Sequence, residues 1–177
     1  MLFISYLVVL ASALSILAAP NPQTNEVHEL VERQQSNIMQ MLTLHNNLRA
    51  THGAKALKWD NNLASKAQQW AKGCKFQHSG GSLGPFGENL AAGTGNFNVA
   101  NAFNSWASEE SSYNPRNPQP SHYTQVVWKG TTAVGCFAAT CPPGSIFPSN
   151  FGNTLYYVCE YSPQGNVIGQ FGSNVQP

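Results

Sequence analysis

The four cysteines of this chain, at positions 74, 136, 141 and 159, limit its possible folds more than any other feature. Structural zinc sites usually present Cys-x-x-Cys pairs, but none occurs here, and the nearest two cysteines, Cys136 and Cys141, have four residues between them. An even number of cysteines in an oxidising compartment most simply forms two disulfides. Because four cysteines allow three pairings, the count predicts two crosslinks and leaves their connectivity open.

The first residues of the chain indicate secretion into an oxidising compartment. Residues 2 to 19 are uncharged and apolar, and the run ends in small residues before Pro20. This pattern is typical of a secretory signal peptide, residues 1 to 19, cut near Ala18 or Ala19. A membrane anchor is the alternative, since about 18 to 20 apolar residues span a bilayer. The N-terminal position and small-residue end favour removal, so we expect a secreted, extracellular protein with no stable membrane insertion after cleavage.

Charge and length define the rest of the chain. The formal net charge of +1 is too small to indicate nucleic acid or an acidic membrane surface as a partner. Residues 20 to 34 hold three glutamates and one arginine without a core pattern, as in a disordered leader or a removable pro-segment. Residues 35 to 177 are long enough for one well-buried domain. We expect one domain and a monomer.

Helical spacing of apolar residues occurs in three segments. It predicts an amphipathic helix over residues 36 to 51, which Gly53 ends. Asp60 can cap a second helix over residues 61 to 73, and a third helix runs from Val99 to about residue 112.

Two later segments have the composition of strands. Residues 134 to 140 and 154 to 161 are rich in β-branched, aromatic and cysteine residues and read as strands buried on both faces. Residues 54 to 59 form a connector or a short strand. Residues 80 to 95 hold six glycines and a proline, which predicts an irregular loop that includes Glu88. This pattern permits helices on both sides of a small sheet.

Several separated segments resemble the motifs of the CAP superfamily, which comprises the cysteine-rich secretory, antigen 5 and pathogenesis-related 1 proteins. The segments are HNNLR at 45 to 49, GENLA at 87 to 91, WASE at 106 to 109, HYTQVVW at 122 to 128 and YYVCEYSPQGN at 156 to 166. Their common order makes chance a poor explanation for a resemblance that covers residues 36 to 170. The resemblance implies an α+β fold, a three-layer α/β/α sandwich, with disulfides Cys74–Cys141 and Cys136–Cys159.

The same resemblance implies a central cavity formed by His78, Glu88, Glu109 and His122. Two imidazoles and two carboxylates suit zinc or another divalent cation. The alternative is a hydrogen-bonded polar cluster without metal, because buried charge must be compensated. Periodicity in the third helix favours Glu110 instead, whereas the Trp-x-x-Glu spacing of the motif favours Glu109, and we choose Glu109.

The sequence favours binding over catalysis. It holds no Gly-x-Ser-x-Gly elbow, Ser121 is adjacent to His122, and the cysteines are expected in disulfides. The resemblance, most fungal in CEYSPQGNVIG at 159 to 169, implies binding and export of a small lipid, a sterol or a fatty acid. Aromatic residues in the loop before the HYTQ motif are associated with sterol binding in the family, but residues 113 to 121 hold only Tyr113. A rigid connector without ligand is therefore one alternative, and a metal-dependent hydrolase, a protease or esterase using the same cavity, is another.

Overall fold

The computed structural model describes residues 22 to 176. The expected signal peptide, residues 1 to 19, lies outside them. No helix among the described residues combines the length and apolar character needed to cross a membrane.

The described chain alternates helices with short strands. The helices are α1 (Pro22–Thr51), α2 (Asn61–Ala71), α3 (Val99–Ala107), α4 (His122–Val126) and α5 (Phe171–Asn174). The strands are β1 (Lys58–Trp59), β2 (Gly87–Thr94), β3 (Ala133–Cys141) and β4 (Thr154–Ser162). Short 3₁₀ helices occupy Ser108–Ser112 and Ser149–Phe151. The predicted second helix and both predicted long strands are confirmed to within a few residues.

Helix α1 is longer than its apolar pattern predicts. It begins at Pro22 rather than at residue 36, so the described part of the segment expected to lack regular structure, residues 22 to 34, is helical. Residues 25 to 37 are solvent-exposed, which explains why they show no core pattern. Removal of this segment as a pro-segment stays a prediction. The helix ends as expected, because Gly53 adopts a left-handed φ of 62° that other residues disfavour.

Asp60 caps helix α2 as predicted. Its Oδ1 accepts hydrogen bonds from the backbone N–H groups of Asn62, at 2.8 Å, and Leu63, at 3.0 Å. The beginning of this helix lies directly on strand β3. A Cβ atom at Gly135 would lie 2.4 Å from the carbonyl oxygen of Asp60 and 2.2 Å from the nitrogen of Ala64. Only glycine permits this approach of helix to sheet.

The four strands form one sheet in the order β1-β3-β4-β2. Strand β1 pairs parallel with β3, and β4 pairs antiparallel with both β3 and β2. The prediction of an irregular loop at Glu88 is wrong, because Gly87–Thr94 pairs along its length with β4. The backbone hydrogen bonds of that pairing outweigh the weak strand propensity of the two glycines in β2.

Strand β4 separates two clusters of buried side chains. Tyr157, Cys159 and Tyr161 face a cluster with residues of α1, α3 and α4. Tyr156 and Val158 face a second cluster with residues of α2. The alternation places helices on both sides of the sheet, which confirms the α+β, three-layer α/β/α sandwich.

The disulfide pairing that the resemblance implies is confirmed. Cys74 bonds to Cys141 and thereby ties the segment after α2 to the end of β3. Cys136 bonds to Cys159 between neighbouring positions of β3 and β4.

Candidate functional site

The first half of the site is a hydrogen-bonded pair formed by His78 and Glu88. Glu88 is the second residue of β2, and His78 lies in the segment that precedes this strand. Nδ1 of His78 donates to Oε1 of Glu88 at 2.6 Å, and the backbone N–H of Ser79 donates to the same oxygen at 3.0 Å. The carboxylate is 7% exposed and the imidazole 60% exposed. The Glu88 carboxylate is therefore buried and fixed by two hydrogen bonds, whereas the His78 ring faces solvent.

The second half repeats this arrangement with His122 and Glu109. His122 is the first residue of α4, and Glu109 lies in the 3₁₀ helix that follows α3. Nδ1 of His122 donates to Oε1 of Glu109 at 2.6 Å, and the backbone N–H of Tyr123 donates to Oε2 at 3.1 Å. Each carboxylate thus accepts one imidazole and one backbone N–H.

The fold brings the two pairs together. The rings of His78 and His122 lie 6.5 Å apart between centroids, with their planes 29° apart. The ring of His122 also lies 6.3 Å from that of the buried Trp106, at 26°. The four residues that the resemblance assigned to a cavity therefore lie close together, at a place called the cleft below, although they come from four separate segments.

In both histidines Nδ1 is hydrogen-bonded, and Nε2 is available to another partner. Since a carboxylate can only accept, Nδ1 of each ring carries the proton, and Nε2 of the neutral ring holds a lone pair. Within residues 22 to 176 no hydrogen bond to either Nε2 is found. The same residues contain no group of three or more histidine, cysteine, aspartate or glutamate side chains arranged to hold a metal ion.

Glu160, which sequence reasoning did not assign to the site, lies directly beside it. It is opposite Glu88 in the β2–β4 register and is only 1% exposed. Burial raises the pKa of Glu160, and the charge of Glu88 together with a hydrogen bond to Glu88 raises it further. Ionised, its Oε1 has no donor among the described residues; protonated, the carboxyl can donate to Glu88. An acid inside a strand predicted to be buried on both faces was the signal for this residue.

A chain of hydrogen bonds between buried polar groups connects the backbone of His122 to helix α1. Asn89 donates to the carbonyl oxygen of His122 at 3.1 Å and to the hydroxyl of Tyr161 at 3.2 Å. That hydroxyl donates to Nε2 of His45 at 2.7 Å, and Nδ1 of His45 donates to the Met41 carbonyl at 2.8 Å. Burial lowers the pKa of His45 to about 4, so the ring is neutral. His45 is therefore a structural element of α1.

Glu110, the residue favoured by periodicity, belongs to a different pair. Its carboxylate Oε1 lies 3.4 Å from Nε2 of the buried His52. Nδ1 of His52 in turn lies 2.9 Å from the carbonyl oxygen of Gln176. Of the two adjacent glutamates, Glu109 is therefore the one that pairs with His122.

Ser121 is occupied by helix capping. Its hydroxyl accepts from the backbone N–H of Thr124 at 3.1 Å, and the Thr124 hydroxyl accepts from the backbone N–H of Ser121 at 2.8 Å. This reciprocal capping begins α4 and fixes the position of His122. Ser121 is thus the N-cap residue of α4.

Tyr113 lies at a small cavity next to the cleft. The cavity measures about 240 Å³, and Glu109 and Ser121 also line it, together with mostly polar side chains of the loop between them. The ring of Tyr113 lies 5.9 Å from that of Tyr123. The loop therefore contributes one aromatic wall.

Comparisons with known proteins agree with this fold. Residues 42–161 match the CAP model, which describes the cysteine-rich secretory protein family. Fruiting body protein SC7 of Schizophyllum commune is 43% identical, and the match covers 81% of this chain and 74% of SC7. Secreted protein PRY1 of Candida albicans is 41% identical over 78% of this chain and 32% of that protein. The crystal structure of MpPR-1i superposes with a TM-score of 0.58 at 27% identity, covering 73% of this chain and 89% of MpPR-1i.

Proposed function

Because this chain belongs to the CAP family of cysteine-rich secretory proteins, we propose that it is a secreted binding protein whose cleft takes up one divalent cation between His78 and His122. The observation that carries this proposal is the pairing of each Nδ1 with a glutamate at 2.6 Å. Metal-binding histidines usually donate their other ring N–H to a carboxylate, which fixes the ring and makes Nε2 a better ligand.

The donor set fits an exchangeable ion better than a structural one. Structural zinc sites use four protein ligands, whereas this cleft offers two imidazole nitrogens within the described part of the chain. Glu88 and Glu109 would act as outer partners, and water would complete the coordination. A bound cation supplies a positive centre that attracts anionic or polar ligand groups.

Zinc titration by calorimetry in a non-chelating buffer tests this proposal. We expect one site in the full chain and its loss in His78→Ala and in His122→Ala. The matched control is His28→Ala, because His28 forms a similar pair with Glu32, at 3.2 Å, on the exposed surface of α1. Undiminished binding in both cleft variants, or loss in the control, would place the zinc site elsewhere.

The two adjacent glutamates provide a second control within the cleft. Glu109→Gln should weaken zinc binding by about 10-fold or more, the usual effect of losing an outer-shell partner. Glu110→Gln should leave the affinity unchanged, because Glu110 contacts His52 instead. Binding should also weaken on acidification, because protons compete with the cation for the lone pairs of the imidazole nitrogens. Equal effects of the two substitutions would contradict the assigned pairing.

Small-lipid binding is a second proposal, supported by the cavity of about 240 Å³ beside Tyr113. Ligand pockets usually measure about 300 to 1,000 Å³, so this one suits the end of a fatty acid better than a whole sterol. Tyr113→Asp should reduce uptake of a fluorescent fatty acid, while Tyr113→Phe should retain it. No uptake at all, with chelator-sensitive ester or peptide cleavage that Glu88→Gln abolishes, would favour the metal-dependent hydrolase.

A further inference from the structure

A second cavity lies at the opposite edge of the sheet from Glu88. It measures about 470 Å³ and is lined by the end of the segment after α1, by strand β1 and by the turn that leads into β3. Strand β1 is one edge of the sheet, and β2, which carries Glu88, is the other. This cavity is therefore separate from the His–Glu cleft.

Its lining is strongly basic. Lys55, Lys58 and Lys129 contribute three positive charges, and Asp60 contributes the single acid in the lining. The carboxylate of Asp60 is already used to cap α2. Lys55 and Lys58 are exposed, and the ammonium group of Lys129 donates, among the described residues, one hydrogen bond, to Oε1 of Gln176 at 2.7 Å. An ammonium group has three donors, so most of the donors in this lining remain available to a ligand.

A fourth positive charge lies beneath this lining. Arg49 is fully buried and donates to the carbonyl oxygens of Lys55, at 2.8 Å, and Thr131, at 2.9 Å, which both line the cavity. It also donates to those of Val126 and Trp128. Burial lowers the pKa of Arg49 to about 10, so it stays charged at neutral pH. No acidic side chain of the described chain pairs with it, and its charge therefore adds to the positive potential of the cavity.

The same hydrogen bonds make the cavity wall rigid. Arg49 joins the segment after α1 to the turn before β3 through their backbones, so the backbone positions that carry the lysines are held together. A preorganised wall reduces the ordering cost of binding.

One aromatic side chain completes the lining. The half-buried Trp59 lines the cavity, and its Nε1–H is occupied by Oδ1 of Asn61 at 3.1 Å. The exposed Thr132 also lines the cavity, and its hydroxyl donates to the carbonyl oxygen of Ser162 at 3.4 Å. An indole and a hydroxyl next to several ammonium groups suit a ring that carries both apolar edges and oxyanions.

We propose that this cavity binds a sulfated or phosphorylated sugar, with the lysines pairing with the oxyanions and Trp59 packing against the sugar ring. Ammonium groups act as compact point charges and therefore suit tetrahedral oxyanions approached from several sides. The volume lies in the usual range of small-ligand sites.

Calorimetry of the full chain with a trisulfated disaccharide of the heparin type is the first test. We expect saturable binding at low salt that weakens at physiological salt, because screening reduces ionic attraction. The unsulfated disaccharide should not bind. A sugar phosphate in a separate titration distinguishes phosphate from sulfate preference, and phosphatidylcholine vesicles with one-third phosphatidylserine test a lipid surface. Binding to the vesicles but to neither anionic sugar would overturn the proposal.

Paired substitutions locate the site. Each of Lys58→Gln and Lys129→Gln should reduce the affinity about threefold to fivefold, and the double variant about tenfold or more, since partly exposed ion pairs contribute modestly. The matched control is Lys72→Gln with Lys75→Gln, two exposed lysines just after α2 that remove the same charge. An equal loss in the control, or none in the cavity variant, would show that the attraction is only non-specific.

Discussion

Replacing Glu160 by glutamine should change how the stability of this protein depends on pH. Glu160 and Glu88 are direct neighbours across the β2–β4 pair, and like charges in that position repel. Burial first, and the charge of Glu88 second, raise the pKa of Glu160. The folded protein therefore keeps a proton on Glu160 at pH values where the unfolded chain has released it.

The sign and size of the effect follow from proton linkage. Above the ordinary glutamate pKa of about 4.3, the folded state binds more protons than the unfolded state, so the free energy of unfolding falls as pH rises. One proton corresponds to at most about 1.4 kcal/mol per pH unit. Because the raised pKa of Glu160 depends in part on the charge of the neighbouring Glu88, we expect the free energy of unfolding to fall by at least roughly half of that maximum. This amounts to about 2 to 4 kcal/mol between about pH 5 and pH 8.

Glutamine at position 160 removes this dependence. Its amide can donate to Glu88 as the protonated carboxyl does, and it carries no charge to be buried. The free energy of unfolding of Glu160→Gln should exceed that of wild type by about 2 to 4 kcal/mol at about pH 8. At about pH 5 the two values should be nearly equal. Urea unfolding followed by tryptophan fluorescence measures both curves, with Glu29→Gln, an exposed residue of α1, as the control. Parallel curves for wild type and Glu160→Gln would refute the protonated state assigned to Glu160.

Two further predictions concern crosslinks and the buried guanidinium. Replacing Cys74 and Cys141 by serine should destabilise the domain by about 4 kcal/mol, and replacing Cys136 and Cys159 by about 3 kcal/mol, because the closed loops span separations of 67 and 23 residues. Urea titration of the two double variants checks this order, and a larger loss for the shorter loop would contradict it. Arg49→Lys should cost about 1 to 3 kcal/mol in the same assay, since a lysine has fewer donors than the four carbonyls require. An unchanged midpoint would show that water replaces the lost donors.

The parts of the fold that local chemistry specifies were predictable from the sequence. Asp60 caps α2 because an aspartate before an apolar helical pattern supplies the missing acceptor. The long strands β3 and β4 were evident because both segments are rich in β-branched, aromatic and cysteine residues. The disulfide pairing came from the family resemblance, since a cysteine count leaves the connectivity open.

Strand β2 was missed because its stability comes from a distant partner. Gly87–Thr94 carries two glycines and follows several more, so its own composition favours a loop. It becomes a strand by pairing with β4, which lies some sixty residues later in the chain. The same pairing puts Glu160 beside Glu88, and no local pattern can report which residues a register places opposite each other.

A change of helix type determines which of the two adjacent glutamates, Glu109 or Glu110, faces His122. Extended at about 100° per residue, the apolar stripe of α3 includes Glu110 and leaves Glu109 at its edge. The helix instead tightens into a 3₁₀ turn over Ser108–Ser112, which winds at about 120° per residue. This tighter winding rotates Glu109 toward the stripe and the cleft, and it rotates Glu110 away toward His52. The motif spacing therefore carried information about the helix ending that hydrophobic periodicity, which assumes one helix type throughout, does not contain.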